Sequence, residues 1–233
     1  MSQRYTTKEL RDIADLAQRD LHDADAADIL KWVGATFGEH ALVSQSMANA
    51  ALAHMAASVA PEIPVVFLDT GYHFPETLET RDRLVERTGV TLINVVPAIS
   101  IEEQDRRFGP YLHKRDPDRC CHLRKVRPMD DFLIDYDAWV TGMRLAAAPH
   151  RKERKVIEFD PRRHLVKVNP LLFWSDDDLL RYTIENDVTV NPLMYEGYPS
   201  IGCEPCTRRV EPTDDPRAGR WAGSGKLECG LHI

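Results

Sequence analysis

Apolar positions recur along the chain at two spacings. Leu10, Ile13, Leu16, Ile29, Leu30 and Val33 stand at helical intervals among many aspartates, which predicts helix within residues 8–33. Ala41-Leu42-Val43 is a short apolar run that stops at Ser44-Gln45-Ser46, and the alanine-rich stretch 47–59 reads as helix. Residues 64–68 (PVVFL) have the continuous apolar pattern of a buried strand and end abruptly at Asp69-Thr70-Gly71. Pro75 suits the first turn of a helix and Gly89 its end. Strand patterns follow at 90–96, at Ala138-Trp139-Val140 before Thr141-Gly142, at 155–159 and at 164–168. Ser175 with Asp178 forms a capping-box pattern for a helix reaching about Asn186. Strands alternating with helices predict an α/β fold, a mostly parallel sheet flanked by helices. From about Asn191 both periods fade into a texture of proline, glycine and charge. The expected division is an α/β domain over residues 1–207 and an irregular, mobile C-terminal tail over 208–233.

Composition narrows the function classes. Of 233 residues, 43% are hydrophobic, enough for a real core. Lys and Arg total 30 against 37 Asp and Glu, a net charge of −7, which argues against nucleic acid as a partner. No stretch reads as a membrane span, and the N-terminus lacks the basic-then-apolar layout of a signal peptide. A cytoplasmic chain is the expectation. The charge is uneven: residues 1–105 carry a net −9, whereas residues 106–233 carry a net +2. The basic surplus includes Arg124-Lys125, Arg208-Arg209, Arg217 and Arg220. Many of these are ordinary solvated surface, but arginine also suits bidentate contacts to phosphate or sulfate.

In a parallel α/β fold, ligands sit at the carboxyl ends of the strands. Three such ends carry small polar residues: Ser44-Gln45-Ser46, Asp69-Thr70-Gly71 and Thr141-Gly142-Met143-Arg144. Their backbone N–H groups can approach an anion, which suggests a nucleotide site. Neither G-x-x-x-x-G-K-[ST] nor G-x-G-x-x-G is present, so the ordinary P-loop and the dinucleotide fold are not supported. Five cysteines complete the candidate chemistry. Cys120-Cys121 and the C-x-x-C of Cys203 and Cys206 offer four thiolates, suited to an iron–sulfur cluster or a structural zinc, with free or redox-paired thiols as the third reading. Adjacent cysteines favour the iron–sulfur reading, because zinc pairs normally have spacers of two to four residues. Cys229 stands apart in Glu228-Cys229-Gly230-Leu231-His232, where a thiol beside a histidine can be activated as a nucleophile; the bland reading is an incidental exposed cysteine.

Together these residues resemble the assimilatory sulfonucleotide reductases, in particular the bacterial iron–sulfur branch that acts on adenosine 5′-phosphosulfate (APS). The matching segments are residues 68–77 (LDTGYHFPET), Cys120-Cys121 with Lys125, Thr141-Gly142-Met143-Arg144, residues 202–207 (GCEPCT), residues 215–221 (DPRAGRW) and Glu228 to His232. They run in family order over about residues 36–233. The resemblance implies an adenine nucleotide α-hydrolase-like fold and a [4Fe–4S] cluster on Cys120, Cys121, Cys203 and Cys206. It implies Cys229 as the nucleophile, assisted by His232, with Lys125 between cluster and substrate. Arg144, Arg217 and Arg220 would contact the phosphosulfate, and Ser44, Ser46, Leu68 and Gly71 would line the adenosine and phosphate end. Thioredoxin or a similar dithiol would be the reductant. Alternatives are the 3′-phosphorylated nucleotide (PAPS) as substrate, a zinc-binding nucleotide-activating or thiolating enzyme, and a non-catalytic cluster protein. The strand-end loop 43–49 lacks the pattern of ATP pyrophosphatases, so ATP cleavage is not expected. Oligomeric state is not legible, and a homo-oligomer stays open.

Overall fold

Six strands form one sheet in the order β3-β2-β1-β4-β6-β5. The computed structural model describes residues 5–147, 153–211, 213–226 and 230–231. The strands are β1 (Ala41–Ser44), β2 (Val65–Leu68), β3 (Leu92–Val95), β4 (Ala138–Thr141), β5 (Ile157–Asp160) and β6 (Leu165–Val168). All neighbours are parallel except β5, which returns antiparallel along β6 at the edge. Nine α-helices accompany them among the described residues: α1 (Thr7–Leu21), α2 (Ala26–Phe37), α3 (Ala51–Val59), α4 (Pro75–Thr88), α5 (Ile101–Phe108), α6 (Leu112–Arg115), α7 (Pro117–Cys121), α8 (Arg127–Leu133) and α9 (Asp176–Glu185).

Period-two alternation divides each inner strand between two cores. Val43, Val65, Phe67, Val140, Val166 and Val168 face the larger core beneath α1–α4 and α9. Leu42, Val66, Val95, Trp139 and Leu165 face a smaller one, closed by Met129 and Leu133 of α8. Strand order reverses between β1 and β4: the chain steps outward to β2 and β3, then returns to β1's other side. Right-handed crossovers in opposite directions place α3 and α4 on one face and α8 on the other. The reversal opens a crevice at the carboxyl ends of β1 and β4, where Ser44 pairs with Thr141.

The expected elements differ from the observed ones in four places. The helix expected within 8–33 is two helices, because the turn at 22–25 redirects the chain and Asp25 takes the extended N-cap conformation. The helix expected over 47–59 starts only at Ala51. Before it, Met47 has φ 62° and Asn49 bridges to Val190, so tertiary pairing overrides local propensity. The strands predicted at 90–96, 155–159 and 164–168 are shorter or shifted, as β3, β5 and β6. Helices α5–α8 between 101 and 133 carry too much charge and too little apolar periodicity to stand out in sequence. The Ser175 capping box is present, with both reciprocal bonds formed to Asp178. Among the described residues, no helix is long and apolar enough to cross a membrane.

Candidate functional site

The cysteine pair sits on a helix that changes its winding beside it. α7 begins at Pro117, with the Asp116 side chain accepting from Arg119 N–H. It runs straight into a π-turn over His122–Val126 and then into α8. In that turn the Arg127 N–H bonds the His122 carbonyl, five residues back. Pro128 supplies a physical reason: it has no N–H, and its ring would crowd the Arg124 carbonyl in regular α geometry. The widened turn follows both cysteines directly and carries Arg124 and Lys125.

Arg124 joins this helix to the strand ends. Its side chain is buried, donating from Nε to the Thr70 carbonyl at 2.5 Å and from Nη1 to Gln104 Oε1 at 3.2 Å. The guanidinium also lies 5.4 Å from the Tyr72 ring centre. Its target, the Asp69-Thr70-Gly71 turn, is self-bonded: Asp69 Oδ1 accepts from Gly71 N–H at 2.9 Å, and Thr70 Oγ1 accepts from Tyr72 N–H at 3.2 Å. Gly71 has φ +75°, and a Cβ there would press on Arg124 and Ile101 at 3.3 Å.

The second cysteine pair is brought in by the loop after Ile201. Glu204 N–H bonds the Tyr72 carbonyl at 2.7 Å, docking the loop onto the strand-end turn. Thr207 Oγ1 donates to the Cys203 carbonyl at 2.9 Å and closes a short 3-10 turn over Glu204–Cys206. Cys203 Sγ then lies 3.3 Å from Thr70 Oγ1. Cys120, Cys121, Cys203 and Cys206 border one cleft with Tyr72, Lys125 and Trp221. Burial, then the neighbouring thiols, push Cys120 up to about 12; burial, then Cys203 and Cys121, push Cys206 up to about 11. Arg124 opposes the first shift; Lys125 and Arg220 oppose the second. Cys120 and Cys206 are thus held toward the neutral thiol, and ionising them calls for added positive charge. Among the described residues, no three His, Cys, Asp or Glu side chains are grouped to hold a single metal ion.

The remaining expected site residues fall in three places. Ser44 is half-buried at the end of β1, Ser46 is exposed just beyond, and Leu68 and Gly71 lie at the end of β2. Arg220 is half-buried, donating to the Ile201 carbonyl at 3.1 Å and lying 4.5 Å from the Trp221 ring centre. Arg217 is half-buried in the preceding turn, where its N–H bonds Asp215 at 2.7 Å. Arg144 turns toward the start of α9, bonding Asp176 at 2.8 Å and the Trp174 carbonyl at 3.3 Å. Cys229 and His232 lie outside the described residues. Their described neighbours meet the site's flank: Lys226 bonds Asp118 of α7, Leu231 packs on the smaller core, and a Cβ on Gly230 would meet Val126 at 3.2 Å.

Sequence reasoning assigned no role to Tyr72 or Trp221, placed Thr70 only in a strand-end turn open to an anion, and treated Arg124 only as part of a basic cluster. The sequence signal for Thr70 was its place between Asp69 and Gly71. Arg124 had none, since a buried arginine and a solvated one look alike in sequence.

Known proteins are similar to this chain over most of its length. The phosphoadenosine phosphosulfate reductase domain matches residues 40–209. A Streptomyces coelicolor protein named adenosine 5′-phosphosulfate reductase is 48% identical over 227 residues, covering 97% of this chain and 96% of that protein. One of the same name from Mycolicibacterium smegmatis is 48% identical over 98% of this chain and 97% of its own length. Among solved structures, the phosphoadenylyl-sulfate reductase of Candida auris, in complex with phosphate, matches with TM-score 0.74 and 25% identity, covering 90% of this chain and 100% of that one. A Candida glabrata FMN adenylyltransferase shares the fold alone, at TM-score 0.54 and 13% identity, over 87% of this chain and 74% of its own.

Proposed function

The chain belongs to the phosphoadenosine phosphosulfate reductase family, and we propose that it reduces APS to sulfite and AMP in sulfate assimilation. It is an oxidoreductase acting on sulfur, like its near-full-length relatives of that name. The observation that carries the reading onto this chain's residues is the gathering of four thiols, three buried and Cys206 half-buried, beside Lys125 and the strand-end turns.

The residues fit a [4Fe–4S] cluster held by Cys120, Cys121, Cys203 and Cys206. The upward shifts of Cys120 and Cys206, from burial first and neighbouring thiols second, support this, because they call for a cationic partner. When bound, the cluster's irons supply the positive charge that keeps four sulfurs ionised. Lys125 shares the π-turn that follows the cysteines and directs a cation from cluster to substrate. Arg217 and Arg220 contact the phosphosulfate, with Arg144 recruited from its ion pair with Asp176. Ser44, Ser46, Leu68 and Gly71 line the nucleotide.

Cys229 is the nucleophile in this reading. Its thiolate attacks the sulfate sulfur, an S–S bond forms, the S–O bond breaks, and AMP leaves with the electron pair. His232 travels with it and assists. A dithiol such as thioredoxin attacks the resulting S-sulfocysteine; sulfite leaves, the Cys229 thiol returns, and the dithiol is oxidised to a disulfide. The packing of Gly230 and Leu231 against the site's flank supports this tail assignment. The tail begins at Arg208 in this division, and the cytoplasm is the expected compartment.

The test is anaerobic purification with iron, sulfide and zinc counted per chain, then intact-mass analysis after incubation with APS. The expected result is about four irons and four sulfides per chain, with a sulfite-sized adduct absent in Cys229→Ser. One zinc and no adduct would overturn the reading. Rates on APS and PAPS, measured side by side, decide substrate preference, with APS expected to be the faster.

A further inference from the structure

Trp139 is almost wholly buried in β4, with its ring in the smaller core. Its indole Nε1–H leaves that core and donates to Ser44 Oγ at 2.8 Å. β1 and β4 are paired in register, Leu42 opposite Trp139 and Ser44 opposite Thr141, so the bond crosses the strand pair diagonally to the mouth of the crevice. Two cations lie against the ring: Arg163 Cζ at 4.9 Å and Lys167 Nζ at 5.1 Å from its centre. Both are buried. Asp130 at 2.7 Å and Asp160 at 2.9 Å hold Arg163 in place, and Lys167 is Trp139's cross-strand neighbour on β6. Cations over an indole draw on its π density and sharpen the N–H as a donor.

The Ser44 oxygen is therefore engaged from the core side, and its proton is turned elsewhere. It reaches the Val140 carbonyl at 3.3 Å, beyond the usual 2.5–3.0 Å range of O–H···O bonds. A weak bond of this kind is readily exchanged for a better acceptor.

We propose that Trp139 is a positioning residue for the nucleotide: its N–H fixes the Ser44 hydroxyl so that the proton is presented to an anionic phosphate oxygen in the crevice. The inference rests on the nucleotide reading of that crevice given above and adds a residue that does not itself touch ligand. Trp139→Phe removes the donor and keeps a smaller aromatic ring; the double variant with Ser44→Ala separates the lost bond from the lost packing.

The experiment uses the holoenzyme, with AMP binding measured by calorimetry and APS kinetics measured in parallel. Loss of one hydrogen bond corresponds to a roughly 3- to 10-fold weakening. Trp139→Phe is expected to weaken AMP by that factor and to raise KM for APS with kcat nearly unchanged. Ser44→Ala is expected to do the same, and the double variant to be no worse than Ser44→Ala alone. Independent, multiplying effects would mean that Trp139 acts through packing, and wild-type affinity in Trp139→Phe would sink the inference alone. Failure of the unmodified enzyme to bind AMP would instead remove the nucleotide reading beneath it. A second measurement needs no change at Trp139: its indole ¹⁵N–¹H resonance should shift in Ser44→Ala, and again when AMP is added to the unmodified enzyme. AMP binding with no shift at Trp139 would also overturn the proposal.

Discussion

Arg124 shows how much one side chain can hold together. It is buried, and its donors reach Thr70, Gln104 and the Ile99 carbonyl from a helix that lies apart from all three in sequence. Arg124→Met leaves those acceptors buried and unpaired, at a cost of at least about 2 kcal/mol. Urea unfolding should show this loss, and the iron content of purified protein should fall with it. Arg124→Lys should not rescue it, because an ammonium cannot serve the fork of acceptors a guanidinium reaches. Lys167 presents a different residue-scale effect. Burial holds its pKa down to about 8. The folded state therefore binds its proton less tightly than the unfolded chain, so the residue costs stability below pH 8. That cost is relieved as pH rises from about 8 toward the ordinary lysine value near 10.4. Lys167→Met should be more stable than the parent at pH 7 and lose its advantage by about pH 10. A constant difference in melting temperature across that range would refute the assignment.

At the scale of elements, the π-turn between α7 and α8 sets the phase between the cysteine pair and Lys125. Each residue of an α-helix turns roughly 100°. Deleting Leu123 together with Pro128→Ala would let the segment close to regular winding and rotate the cysteines by about that angle against Arg124 and Lys125. The expected protein keeps its far-ultraviolet circular dichroism but loses bound iron; full iron retention would show that the turn is incidental. α9 supplies a purely structural contrast. Its capping box at Ser175 and Asp178 satisfies N-terminal donors that the helix cannot satisfy itself. Ser175→Ala should lower unfolding free energy by about 1 kcal/mol and leave APS turnover unchanged. The β1–α3 connection shows where local pattern misleads. Alanines at 48, 50, 51 and 53 read as continuous helix, but Asn49 bridges to Val190 and bonds Thr183, which delays the helix to Ala51.

At the scale of the whole molecule, the C-terminal segment is laced to the body before it reaches Cys229. Arg208 bonds Gly219 at 3.0 Å, Trp221 N–H bonds the Cys206 carbonyl at 3.0 Å, and Trp221 is buried. If the proposed cluster is present, a chain ending at Lys226 should retain iron and bind AMP yet form no adduct with APS, whereas one ending at Thr207 should also lose iron. Iron retention in the shorter chain would show that the 208–226 segment has no part in holding the cysteine loop. Much of this was legible in sequence, because strands buried on both faces announce themselves as apolar runs and polar residues at their ends mark where ligands sit. The five cysteines and their order likewise needed no coordinates to be noticed. Which buried partner each polar group takes was not legible. Arg124 on Thr70, Trp139 on Ser44 and Arg144 on Asp176 join residues 54, 95 and 32 positions apart, and no local period encodes such pairings. The sequence determined the strands, their polar ends and the chemistry available; the folded sheet alone decided the partners, because packing in three dimensions brings distant groups within hydrogen-bonding reach.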